Sequence, residues 1–152
     1  MGLFDAIAAS GSGLTAERMR MDVTSENLAN AETTKAANGQ PYRRKEVVLQ
    51  EAGGPATDFA SVLSGIQGGN GSGAGVTNGV KVAGIVEDQS ALKRIYDPGH
   101  PDADRNGYVT MPNVNTVTEM TDLISASRSY EANVTAMQTA KTMFSKTLDL
   151  LR

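Results

Sequence analysis

From Met120 onward the chain repeats a three-four step: Met120, Leu123, Ser127, Tyr130, Val134, Met137, Lys141, Phe144, Leu148 and Leu151. All but Ser127 and Lys141 are apolar or aromatic, which is the spacing of a coiled-coil seam. Pro112 precedes the run, and no proline or glycine interrupts it. Thr116 and Glu119 have the spacing of a capping box, in which each side chain satisfies a backbone N–H at the helix start. A helix from Thr116 to the end is predicted, roughly 54 Å long at about 1.5 Å per residue. That exceeds what a small domain needs. Such a seam requires a partner helix along most of its length.

The other end of the chain supplies a weaker seam. Phe4, Ile7, Gly11, Leu14, Arg18, Met21, Ser25 and Leu28 follow the same step, with Gly11, Arg18 and Ser25 as interruptions. Gly11 and Gly13 each cost on the order of 1 kcal/mol relative to alanine inside a helix. A helix from about Phe4 to Asn30 is predicted, marginal alone, with Asn30 as a C-cap because asparagine tolerates the left-handed conformation. Neither seam by itself offsets the entropy of ordering its backbone. The isolated monomer is therefore expected to be unstructured before about Asn30 and after about Met120, around a folded centre.

The middle is different in kind. Tyr42–Gln50, Val80–Glu87 and Leu92–Tyr96 are rich in β-branched or aromatic residues and bounded by Gly, Asn, Asp or Pro, so they read as strands. A short strand over Gly107-Tyr108-Val109 follows. Between the first two strands lies a glycine-dominated stretch, Gly53 to Gly79, that includes GGNGSGAG. Its composition buries too little apolar surface to offset chain entropy, so a mobile loop is expected, with one short helical turn carrying Phe59, Val62, Leu63 and Ile66. It contains neither GxxxxGK[ST] nor a strand–GxGxxG–helix unit, so it reads as a linker and not a phosphate cradle.

Charge and chemistry narrow the function. The 152 residues carry a net charge of −3, and basic residues are scattered among acidic ones. The densest basic cluster, Arg43-Arg44-Lys45, runs directly into Glu46 and reads as a solvated strand edge, not a nucleic-acid footprint. There is no cysteine, so disulfides and thiol chemistry do not enter. No apolar run approaches the roughly 18 residues of a membrane span. Asp5 interrupts the first apolar stretch and no basic residue precedes Arg18, which is not the pattern of a cleavable secretory signal. No GxSxG arrangement is present. The one histidine, His100, lies between Gly99 and Pro101 and reads as a hydrogen-bond donor fixing a turn.

Asp102-Ala103-Asp104-Arg105-Asn106-Gly107 matches the opening of a calcium loop. The position for the closing bidentate glutamate is Asn113, however, so the favoured reading is a turn whose Asp and Asn side chains bond to backbone. Two alternatives stand at this level: a soluble helical oligomer or adaptor built on the seams, and a calcium-binding module around residues 97–113.

Several segments carry a resemblance. Ser25-Glu26-Asn27-Leu28-Ala29-Asn30-Ala31-Glu32-Thr33-Thr34 resembles the N-terminal signature of flagellar rod and hook axial proteins. Tyr96-Asp97-Pro98-Gly99-His100-Pro101-Asp102-Ala103-Asp104, with Gly107-Tyr108-Val109 and Pro112-Asn113-Val114-Asn115, is similar to the proximal-rod members of that family. So are Pro41-Tyr42-Arg43-Arg44-Lys45, Glu119-Met120 and Ser125-Ala126-Ser127-Arg128-Ser129-Tyr130-Glu131-Ala132-Asn133. The resemblance covers both termini and most of the middle; the stretch from Ala52 to Gly79 resembles a variable insert.

The resemblance implies an α+β fold, with long N- and C-terminal helices paired like a coiled coil around a small β-rich insert. The expected segments are 1–34, the N-terminal helix and signature; 35–115, the insert with its loop 53–79; and 116–152, the C-terminal helix. It implies a structural subunit of the proximal rod of the bacterial flagellar basal body, not an enzyme, with no cofactor, metal, nucleic acid or membrane insertion. Implied partners are other rod proteins, copies of the same chain in a helical assembly, and the flagellar type III export apparatus. The expected location is the rod in the periplasmic space, reached without cleavage of a signal. Interface positions are expected at Phe4, Ile7, Leu14, Met21, Leu28, Met120, Leu123, Tyr130, Val134, Met137, Phe144, Leu148 and Leu151. The family signature maps onto Asn27, Leu28, Ala29, Asn30, Asp97, Pro98, His100 and Pro101.

Overall fold

A computed structural model of the chain describes residues 3–36, 39–52 and 79–150. Helix α1 spans Leu3–Ala29. Strands β1 (Lys45–Glu51), β2 (Val80–Glu87), β3 (Lys93–Tyr96) and β4 (Tyr108–Met111) follow, and α2 spans Thr116–Leu150. The fold is α+β, two long helices flanking a small β insert. The side chain of Phe4, the residue Leu151, the stretch 53–78 and the helical turn expected around Phe59 lie outside the described residues.

The strands form two ribbons, β1 with β2 and β3 with β4. Arg44 O accepts from Asp88 N at 2.8 Å and Gly79 O from Ala52 N at 2.7 Å, so β1 and β2 run antiparallel. β3 and β4 are antiparallel with Ile95 opposite Val109 and Tyr96 opposite Tyr108. The two tyrosine rings meet edge to face at 5.3 Å. Gly107, with φ of +78°, turns the chain into β4, and a Cβ there would meet Tyr96 Cε2 at 2.9 Å. Only glycine satisfies both the left-handed backbone and that close approach.

Both helix ends differ from the sequence expectation. α2 is capped by Asn115, whose Oδ1 accepts from Val117 N at 3.1 Å. Asn115 O accepts from Glu119 N at 3.0 Å. Thr116 and Glu119 therefore form no capping box, because the Glu119 carboxylate is engaged elsewhere. Asn30 does follow the last residue of α1, but no residue other than glycine has a positive φ among those described. Its Nδ2 instead donates to Glu26 O at 2.9 Å, closing the last turn from the side chain.

The chain divides into two compact units. One comprises residues 1–16, 49–82 and 130–152. In it the helices run antiparallel: a Cβ at Gly11 would lie 3.7 Å from Met137 Cε, and one at Gly13 would lie 3.0 Å from Asn133 Nδ2. The two glycines that weaken α1 by propensity thus let α2 approach closely. Ser12 ties the helix to β2: its Oγ donates to Ala9 O at 2.7 Å and accepts from Val80 N at 3.0 Å. From Lys141 to Asp149 every residue of α2 is exposed.

The second unit comprises residues 17–48 and 83–129. Its buried apolar side chains are Val23, Tyr42, Val109, Pro112, Val114 and Ala126. Three polar residues, Thr24, Asn27 and Glu119, are buried with them.

Candidate functional site

The sharpest feature of the second unit is a buried polar node centred on Asn27. Asn27 and Glu119 are each 1% exposed. Asn27 Oδ1 accepts from Lys45 N at 2.9 Å, and its Nδ2 donates to Lys45 O at 2.8 Å. The side-chain amide therefore pairs with the backbone of β1 as a neighbouring strand would. The same oxygen accepts from Tyr42 Oη at 2.8 Å, and the same nitrogen donates to Glu119 Oε2 at 3.0 Å. All four bonds available to an amide side chain are made. Asn27 sits on α1, Tyr42 on the approach to β1, Lys45 at its first position, and Glu119 on the first turn of α2.

Glu119 needs a cation, because a carboxylate buried without one is costly. Arg44 supplies it. Its Nε donates to Glu119 Oε1 at 2.6 Å, with Glu46 at 3.7 Å and Asp122 at 3.6 Å around the same guanidinium. The hydrogen bond to Glu119 holds the Arg44 pKa above its ordinary value, against the opposing effect of burial. Tyr42 is pushed up to about 12, first by burial and then by the charges of Glu26, Glu119 and Glu87. No buried side-chain nitrogen or oxygen among the described residues lacks a partner.

Arg43-Arg44-Lys45 is therefore not a solvated strand edge. Arg44 neutralises a buried carboxylate, and Lys45 Nζ meets Glu26 Oε1 at 2.6 Å. Arg43 donates to Asp88 O at 3.2 Å. Each of the three cations is committed to a different element. Asn113 extends the node: its Oδ1 accepts from Arg44 N at 2.8 Å, and its Nδ2 donates to Ser90 Oγ at 2.8 Å and Asp88 O at 3.3 Å. The backbone N–H and hydroxyl of Ser90 in turn hold the Asp88 carboxyl below its ordinary range.

The loop from Asp97 to Gly107 is fixed by local bonds. Asp97 Oδ1 accepts from Gly99 N at 3.1 Å, and Asp97 N donates to Gly107 O at 2.9 Å. His100 holds the turn as an acceptor: Asp102 N donates to its Nδ1 at 3.1 Å, which reverses the expected donor role. Pro98 packs near Gly107, and Pro101 is exposed at the turn. Asp102 Oδ2 accepts from Thr34 Oγ1 at 2.7 Å and Asp104 Oδ1 from Arg105 N at 2.7 Å. The carboxylates of the calcium-like sequence are thus bound to protein groups. Among the described residues no cluster of three or more His, Cys, Asp or Glu is placed to hold a metal ion.

Of the expected interface positions, Ile7, Leu14, Met21, Leu28, Leu123, Tyr130, Val134 and Met137 are half-buried. Met120 and Leu148 are 51% and 52% exposed, and Phe144 is exposed as well. The inward face of α2 at its start follows Glu119, Leu123 and Ala126, sharing Leu123 with the apolar seam but replacing Met120 by Glu119 and Ser127 by Ala126. Glu119 takes an inward position in which Arg44 and Asn27 bond its two oxygens. A count of apolar spacing cannot register such a residue. The signal that was available is the joint presence of Asn27, Tyr42, Arg44, Asn113 and Glu119 in the segments resembling rod proteins.

The comparisons with known proteins agree with this geometry. The family described as "Flagella basal body rod protein" matches residues 7–36, which carry Asn27. The family described as "Flagellar basal body rod FlgEFG protein C-terminal" matches residues 105–150, which carry Asn113 and Glu119. The chain is 51% identical over 154 residues to the flagellar basal-body rod protein FlgC of Bacillus subtilis, covering 99% of each. It is 43% identical to FlgC of Borreliella burgdorferi, covering 100% of this chain and 99% of the relative. To FlgC of Salmonella typhimurium it is also 43% identical, covering 99% and 98%. With two helices pinned to one β insert and that likeness along its whole length, the chain belongs to the FlgC family of flagellar basal-body rod proteins and is a structural rod subunit.

Proposed function

We propose that this subunit builds the proximal rod by helical assembly through the seams of its two terminal helices. The observation that carries the reading is the contrast along α2. Its start is locked to the insert and to α1 by Glu119, while Met120 and Leu148 keep apolar surface exposed. Exposed apolar positions at seam spacing serve a structural protein when a neighbour covers them. The contacts are head-to-tail and do not close, which generates a shaft. The expected interface positions on both helices belong to these contacts.

Family membership supports the finer reading as well. The subunit leaves the cytoplasm through the flagellar type III export apparatus without signal cleavage, and joins other rod proteins and its own copies in the periplasmic rod. It carries out no catalysis. The test is complementation of a strain lacking the chain. Leu148→Asp at normal cellular level abolishes motility and rod completion, while the purified variant keeps its Glu119–Arg44 unit folded. Motile cells carrying that variant contradict the seam assignment.

A further inference from the structure

The outward faces of α1 and α2 within the second unit are not used by the chain's own fold. On α2, Val117, Thr121, Ile124 and Arg128 form one stripe at steps of four, three and four. All four are exposed, Val117 at 71% and Ile124 at 53%. The buried Glu119 and Ala126 lie on the opposite side of the same turns. On α1, Arg18, Asp22, Ser25 and Ala29 form a stripe with the same steps, and all are exposed. They lie opposite the buried Val23 and Asn27. One stripe is apolar and ends in a cation. The other begins with the charged Arg18 and Asp22 and continues with the small Ser25 and Ala29.

Their charges are also complementary in order. Arg18, Asp22, Arg128 and Glu131 are exposed, and none takes part in the ion pairs of the described residues. With the two stripes antiparallel and Arg128 opposite Asp22, Glu131, three residues beyond the stripe on the same helix, falls within one residue of Arg18, and Ile124 falls between Ser25 and Ala29. Small side chains there leave room for the isoleucine. With the stripes parallel, Glu131 faces Ser25 instead and only one charge pair forms. Since each stripe points away from its own chain's core, one chain cannot bring the two together.

We propose that the α2 stripe of one copy docks antiparallel on the α1 stripe of a second copy, with Arg128–Asp22 and Glu131–Arg18 setting the register. This rests on the rod reading above and names the partner and register of one contact in it. Every copy presents both stripes, so the contact is heterologous and repeats without closing. Charge pairs at such a surface set register and exclude wrong partners more than they add affinity.

The test uses charge reversal in a strain lacking the chain, scored by swimming and by recovery of the chain in purified basal bodies. Asp22→Arg alone and Arg128→Asp alone are expected to reduce both readouts at least tenfold. The double variant is expected to recover at least half of the wild-type value. Co-expression of the two single variants as separate chains is also expected to recover it, because alternating copies restore every pair. That arm separates contact between copies from contact within a chain, which co-expression cannot rescue. Single variants that swim normally, or a double variant as defective as the singles, overturn the proposal. Absence of the wild-type chain from basal bodies instead overturns the rod reading itself.

Discussion

The two halves of α2 belong to one continuous helix, yet only the first has a buried, bonded face. At Glu119 and Ala126 one face of the helix is buried, and Glu119 is bonded to Arg44, 75 residues away in sequence, and to Asn27, 92 away. Beyond Lys141 every described side chain is exposed, Leu148 among them. The first half has one face held inside its own chain, while Val117, Met120 and Ile124 stay exposed on its other side. The second offers apolar surface that its own chain leaves in water.

The most severe way to break the comparison is to remove Glu119. Glu119→Ala leaves Arg44 beside Asn27 without its carboxylate. Breaking a buried pair costs about 3–5 kcal/mol, and the low end applies here because Arg44 is partly exposed and keeps Glu46 and Asp122 nearby. Denaturant unfolding of the purified chain checks it. A loss under about 1 kcal/mol means that the node is dispensable.

Asn27→Ala is expected to cost somewhat less, about 2–3 kcal/mol. It strands the N–H and C=O of Lys45, the Tyr42 hydroxyl and one Glu119 oxygen, and an unsatisfied buried group costs about 1–3 kcal/mol. Water entering the space left by the amide limits the total. Asn27→Asp should be no milder, since it brings a second carboxylate against Glu119 and removes the donor to Lys45 O. The same unfolding measurement ranks the three proteins.

A smaller effect concerns pH. Tyr42 ionises at about 12 in the fold against about 10 unfolded. Because the folded value is the higher one, its contribution is fully present below pH 10 and is lost as pH rises from 10 through 12. By pH 11 the loss is about 1.4 kcal/mol. Tyr42→Phe lacks this term. The stability gap between wild type and Tyr42→Phe should therefore shrink by about that amount between pH 9 and 11. A gap that does not change with pH shows that the hydroxyl is not held as described.

The smallest expected effect on stability comes from the other half of α2. Met143→Ser removes exposed apolar surface and should change unfolding stability by less than about 0.5 kcal/mol. A larger loss shows that the distal half is packed within its own chain.

How much of this was legible beforehand follows from the same division. The two long helices rest on local periodicity, and the span Val80–Glu87 and the strand-like readings around Lys45 and Lys93 on local composition and bounding turn residues, both of which a sequence displays directly. The node does not. Asn27, Tyr42, Arg44, Asn113 and Glu119 are single polar residues with no period, and their partners are distant in sequence. Polar satisfaction is a property of the folded chain, so Glu119 read as half of a capping box and Arg44 as part of a solvated edge. The glycines of α1 show the same limit. Propensity counts Gly11 and Gly13 as weaknesses, and the fold uses the space they leave for Met137 and Asn133.

The boundary of order expected near Asn30 and Met120 also shifts on this account. Asn27 and Glu119 belong to a satisfied node, so the ordered centre extends into both helices. Hydrogen exchange on the purified monomer reads this directly. The account predicts strong amide protection at Val23–Asn27 and Leu123–Ala126, and little beyond Lys141. Equal protection along α2 to Asp149, or none around Asn27 and Ala126, contradicts it.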